Sequence, residues 1–184
     1  MSRRLILLTA FMAAAPGLAW AGDHLYRLAP DATSVTFTTG AFGVARTTGR
    51  VAVVDGTLTF NPAHPGDSEV AVSLDMTTLS TGVAMFDGQL QGDAYFDTAN
   101  YPRASFRSTQ VEMTGQHTAK VTGDMTLHGV TRPVTMAVTF DARAGEELGF
   151  TATAQIDRRD FGIDKFQLFI SDDIDVRVEA KALP

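Results

Sequence analysis

Period-two alternation of apolar and polar residues runs through this 184-residue chain and restricts most of it to β-structure. Val134, Met136, Val138 and Phe140 are separated by Thr135, Ala137 and Thr139, and Phe150, Ala152, Ala154 and Ile156 repeat the pattern. Val121, Met125 and Leu127 do so with Gly123 in phase, as do Val70, Val72 and Leu74, and Ile174, Val176 and Val178. Shorter runs are Val35 with Phe37, Leu58 with Phe60, and Phe166, Leu168 and Ile170. Such spacing sends one set of side chains to one face of a sheet. Strands recurring every ten or so residues predict a sandwich or barrel.

Turn chemistry punctuates the strands. Asp55-Gly56, between Val51–Val54 and Thr57–Phe60, predicts a hairpin. The run Asn61-Pro62-Ala63-His64-Pro65-Gly66 stops the strand before it. Thr114-Gly115-Gln116 and Ala144-Gly145-Glu146 predict two further hairpins. One segment has helical spacing: Val83, Phe86 and Leu90 predict a short helix over Val83–Gln91, with Ser80 or Thr81 as cap and Gly92 as stop. With no repeat or linker, the expectation is one all-β domain over 22–184.

Residues 1–21 have the form of a bacterial export signal: Arg3 and Arg4, an apolar run from Leu5 to Ala15, the break at Pro16-Gly17, and the small-x-small site Ala19-Trp20-Ala21. The apolar run is too short to span a membrane, and no later stretch is long enough. An ordinary secretory route fits better than a twin-arginine one, of which Ser2-Arg3-Arg4 is the only trace. Cleavage would take the formal charge from −6 to −8. That acidity argues against nucleic acid as a partner. The absence of cysteine excludes disulfides, thiol catalysis and thiolate metal sites.

Chemistry-bearing motifs are sparse. His24, His64, His117 and His128 have no metal-ligand spacing. There is no Gly-x-Ser-x-Gly elbow and no glycine-rich phosphate loop. Asp160-Phe161-Gly162 stands without any other kinase element, and Asp172-Asp173 reads as a solvated turn. Arg158 and Arg159 read either as part of a salt-bridge cluster or as an anion-friendly rim for a polar head group. The expectation is no catalytic residue, no metal and no cofactor. What the chain does carry is a large stock of phenylalanine and methionine, which either fills a barrel or lines a cavity in one. Alternation alone leaves both open.

A further set of segments stands in a specific order and spacing: Leu79-Ser80-Thr81-Gly82 with Asp87 and Leu90, then Tyr95-Phe96-Asp97, then Tyr101-Pro102 before Phe106-Arg107-Ser108-Thr109. The longest runs from Val121-Thr122-Gly123-Asp124-Met125 through Leu127-His128-Gly129-Val130 to Arg132-Pro133-Val134, and the last is Arg158-Arg159-Asp160-Phe161-Gly162-Ile163. Together these segments resemble the YceI-like family of exported lipid-binding proteins. The chain departs from the family at Thr39-Gly40-Ala41 and Gln89, where histidines are frequent, and has Tyr95-Phe96 for a paired aromatic. The resemblance implies a lipocalin-like antiparallel barrel of about eight strands with one short helix. It further implies an apolar tunnel for an isoprenoid, quinone or other long-chain amphiphile, a periplasmic location and a dimer.

On that resemblance and on strand parity, the expected lining residues are Phe37, Phe60, Leu74, Phe106, Met125, Met136, Val138, Phe140, Phe150, Ile156, Phe161 and Phe166, joined by Phe86, Leu90 and Phe96 around the helix. Arg158 and Arg159 are the head-group candidates. Two other readings stand beside carriage. One is an enzyme acting on a small lipidic substrate with His128 or Asp87 as acid–base. The other is a filled barrel serving as a stress-linked interaction module.

Overall fold

The computed structural model describes residues 23–41, 45–141, 147–165 and 170–184. The expected export signal, the Ala144–Glu146 hairpin and Phe166 lie outside the described residues.

The described residues form nine strands and one α-helix, in order: β1 (His24–Leu28), β2 (Ser34–Ala41), β3 (Ala45–Phe60), β4 (Glu69–Ser80), α1 (Ala84–Gln91), β5 (Arg103–Met113), β6 (Thr118–Leu127), β7 (Val130–Asp141), β8 (Leu148–Asp157) and β9 (Ile170–Leu183). From β2 to β9 each strand pairs antiparallel with the next, and β9 returns to β2. The result is a closed up-and-down barrel of eight staves, which leaves no long free edge. β1 adds no ninth stave. It lies in line with β2, pairing with the far half of β3 and the end of β9. A 3-10 turn at Pro30–Ala32 interrupts this shared stave, where proline has no amide to give to a ladder.

Two expectations from turn and phase signals are corrected. Asp55-Gly56 is not a hairpin: β3 runs through it for sixteen residues, with a bulge against β4 between Val53 and Asp55. The glycine is there for close approach, since a Cβ at Gly56 would lie 2.0 Å from Leu28 Cδ1. β5 is a strand that simple alternation overlooks. Its inward residues change phase from Ala104 and Phe106 to Val111 and Met113 across a bulge between Ser108 and Gln110.

The helix forms one residue short of its expected start, and neither Ser80 nor Thr81 caps it. Instead the Asp87 carboxylate reaches back from the first turn. It accepts from the Thr81 amide and hydroxyl, both at 2.6 Å, and from the Ser80 hydroxyl at 2.7 Å. These donors hold the carboxyl below the usual carboxylate range, with the Thr81 hydroxyl contributing most. Gly92 closes the other end as expected.

The staves are not joined equally. β6–β7 and β8–β9 each have ten residue pairs in register, whereas β4–β5 and β7–β8 have five. Where β7 and β8 splay, a 3-10 turn at Arg158–Phe161 packs on both strands with Phe161 buried. Where β4 runs past the end of β5, the Gln91 side-chain amide donates to Thr77 O and Leu79 O, covering the bare edge. Beyond the other end of the β4–β5 ladder lies the loop Asn61–Ser68.

Candidate functional site

The barrel interior divides into a packed half and a hollow half. At the end that carries α1, inward side chains are buried against one another: Leu79 and Phe161 are 1% exposed and Ile163 2%, with Met76, Phe96 and Leu127 in the same cluster. Toward the opposite end, Met136, Val138, Phe140 and Phe150 face inward by strand parity yet are only half-buried. Their exposed surface faces a cavity of about 140 Å³ that runs from the barrel's waist to the loop Asn61–Ser68. The wall is apolar almost throughout. Its polar residues, Ser68, Glu69 and Ser105, are few, and the Ser68 hydroxyl is engaged by the Asn61 amide at 3.1 Å.

The structure brings eight of the expected lining residues to this cavity: Phe60, Leu74, Phe106, Met125, then Met136, Val138, Phe140 and Phe150. Phe60 and His117 both meet Phe140 edge to face, with centroids 6.1 and 6.2 Å apart, so aromatic rings crowd the outer end. The others among the described residues lie elsewhere. Phe96, Ile156 and Phe161 are buried in the packed half, and Leu90 packs against it from α1. Phe37 is buried because its ring lies over Gly49 on the paired strand, where a Cβ would come within 2.2 Å of Cζ. Phe86 is 41% exposed, on the solvent side of α1.

Several wall residues were not expected. Val111 and Met113 come from the phase-shifted half of β5, and Pro65, Ser68 and Glu69 come from the loop and the start of β4. The valines Val35, Val72, Val121, Val176 and Val178 share the inward parity and were findable by it.

The polar candidates are structural groups. Arg158 is 2% exposed, and all five of its N–H groups are used. Nε donates to Ser171 O at 3.2 Å, Nη1 to Ile163 O at 2.7 Å and Lys165 O at 2.8 Å, and Nη2 to Ile170 O at 3.4 Å and Asp172 Oδ1 at 3.0 Å. It staples the segment after β8 to the start of β9, with no donor left for a head group. Arg159 bridges Asp157 and Asp172 at the surface. The Arg159 guanidinium's hydrogen bonds hold the Asp157 carboxyl below its ordinary value. Neither arginine lines the cavity.

The two alternative acid–base candidates of the enzyme reading, His128 and Asp87, are both held away from the cavity. His128 sits in the two-residue β6–β7 turn with φ 51°, its ring 4.6 Å from that of Tyr101 and its Nδ1 3.2 Å from Phe161 O. Asp87 is spent on Ser80 and Thr81. Neither contributes to the cavity wall. Among the described residues, no three His, Asp or Glu side chains group so as to hold a metal ion.

Comparison with known proteins accords with this architecture. The family model described as the YceI-like domain matches residues 26–182. The chain belongs to the YceI-like family. A UPF0312 protein of Pseudomonas savastanoi pv. phaseolicola is 37% identical over 164 residues, covering 86% of this chain and 84% of the relative. Among solved structures, Burkholderia cenocepacia BcnA superposes with a TM-score of 0.76 at 21% identity, over 84% of this chain and 98% of its own. A polyisoprenoid binding domain from Saccharophagus degradans, implicated in plant cell wall breakdown, gives a TM-score of 0.63 at 16% identity, over 86% of this chain and 97% of its own. At these identities the two structures speak for the fold of this YceI-like chain.

Proposed function

We propose that this YceI-like protein is a non-catalytic binder of an apolar ligand of the isoprenoid, quinone or long-chain amphiphile class, which it sequesters or carries through the periplasm. The observation that carries this reading is the cavity: inward-facing side chains left half-buried around a space with almost no polar wall. Water gains little in such a space, whereas each CH₂ taken out of water gains about 0.8 kcal/mol. The name of the Saccharophagus degradans domain supports the isoprenoid class. Family membership and the leader-like first 21 residues support export, with 22–184 as the mature barrel.

At about 140 Å³ the cavity matches an engineered apolar cavity of about 150 Å³ that takes up benzene. That is below the ~300 Å³ at which drug-sized pockets begin. The closed barrel therefore accommodates a ring or a few branched carbons, and a longer chain displaces wall side chains. Met113, Met125 and Met136 are suited to that, being unbranched and adaptable.

Native mass spectrometry of the protein purified from its own host tests the reading and reports subunit number at once. The expected spectrum shows an adduct that organic solvent extracts as a chain-type apolar molecule. A ligand-free protein that also takes up no apolar probe would overturn carriage and favour a filled-barrel interaction module.

A further inference from the structure

We propose that ligands enter sideways, through the joint between β4 and β5, with the loop Asn61–Ser68 as the strap that opens and closes it. The proposal rests on the ligand-binding reading above and adds where and how the site loads. The barrel has two five-pair joints. The β7–β8 joint splays toward the helix end, where the 3-10 turn that carries Phe161, 1% exposed, packs on both strands. The β4–β5 joint covers only Ala71–Asp75 against Arg103–Arg107, so its other splay falls along the hollow half. There the part of β5 from Gln110 to Met113 is laddered to β6 on one side and has no ladder to β4 on the other.

What covers this gap is the strap. Its 3-10 turn, Pro65–Asp67, packs on β5, and a Cβ at Gly66 would lie 3.4 Å from Val111 O. Pro65, Ser68 and Glu69 on one side of the gap, with Val111 and Met113 on the other, are all wall residues of the cavity. The cavity thus reaches the surface between two pieces of backbone not joined to each other by a ladder. The stitches beside the gap are side-chain bonds: the Val70 amide donates to Ser108 Oγ at 2.9 Å, and the Asn61 amide to Ser68 Oγ at 3.1 Å. The ion pair across the joint, Arg107 with Glu69 at 3.9 Å, is exposed on both sides and weak. Opening the strap breaks no main-chain ladder of the barrel, whereas entry between two staves along their ladder breaks several such bonds at once.

The chain has no cysteine, so a pair introduced at Gly66→Cys and Glu112→Cys carries the only thiols, ready to be joined by a disulfide or a short bismaleimide. Loading is followed by stopped flow with N-phenyl-1-naphthylamine, a neutral probe that fluoresces in apolar surroundings. The bridged protein is expected to load at least ten-fold more slowly than its unbridged form. A control pair on opposed strands, Thr153→Cys with Arg177→Cys, is expected to load at the wild-type rate when bridged. Ser108→Ala, which removes one stitch without touching the wall, is expected to raise the loading and release rates together by about five-fold, the size expected for one lost hydrogen bond. Equal rates with and without the Gly66–Glu112 bridge, together with an unchanged Ser108→Ala, would overturn the port and leave ligand binding standing. A wild-type protein that takes up no probe would remove both.

Discussion

The two ends of the barrel are built from the same alternating strands and hold opposite contents. At the helix end the inward side chains meet Phe96, Phe161 and Ile163, contributed by segments that leave the barrel wall and fold back into it. Arg158, with its five carbonyl and carboxylate partners, and Asp87, with its three donors, fix those segments in place. At the loop end no segment among the described residues folds back in that way. The strap covers the gap from outside, and Met136, Val138 and Phe150 are left facing space. Strand alternation makes an inside; what comes back into it decides whether that inside is core or cavity. The packed end is then the source of stability, and the hollow end is free to spend its apolar surface on a ligand.

That division is most easily broken at the packed end. Phe161→Ala empties a fully enclosed site and is expected to cost about 3–5 kcal/mol in chemical denaturation. Arg158→Met is expected to cost a similar ~3–5 kcal/mol, because four carbonyls and the Asp172 carboxylate lose a buried donor. Phe140→Ala, at the hollow end, is expected to cost less than half as much, since its ring already faces the cavity. Equal losses at Phe161 and Phe140 would show that the two ends are packed alike.

The converse change fills the hollow end. Ala152 on β8 lies on the cavity wall near the waist, and Ala152→Phe places a ring in the space a ligand would use. Probe affinity is expected to fall at least ten-fold, with stability altered by about 1 kcal/mol or less, because the ring enters space that is already open. Undiminished affinity in a well-folded Ala152→Phe protein would place the binding site elsewhere.

The sequence made the inward faces of β6, β7, β8 and β9 legible, because Val121–Leu127, Val134–Phe140, Phe150–Ile156 and Ile174–Val178 keep strict period two. It hid whatever breaks that period. The bulge at Ser108 shifted Val111 and Met113 out of phase, and Asp55-Gly56 imitated a turn where a strand needed room for Leu28. It also could not separate core from cavity. Phe161 and Phe140 look alike in the chain, and only the fold shows that one is inserted from a 3-10 turn and the other stands on a strand with open space before it. The arginines illustrate the same limit: Arg158 and Arg159 are neighbours in sequence, yet one is buried and fully bonded and the other bridges carboxylates at the surface.

The smallest expected effect tests whether the helix end is held independently of the cavity. The Asp87 carboxylate is hydrogen-bonded by Thr81 and Ser80 in its ionised form, which lowers its folded pKa below the unfolded value. A group shifted in that direction adds stability at pH values above its unfolded pKa, and the contribution is lost as pH falls through the folded one. Asp87→Asn removes that dependence, so the acid limb of the stability curve is expected to be shallower in the variant, with the two proteins converging at the lowest pH. Amide exchange at Thr81, Phe86 and Asp87, taken relative to the unfolded-chain rate at each pH, should rise on acidification in the wild type, reporting release of α1. Over the same range probe affinity is expected to stay constant, because no residue of α1 contributes to the cavity wall. A probe affinity that falls in step with exchange at α1 would join the two ends into one cooperative unit and end the division between them.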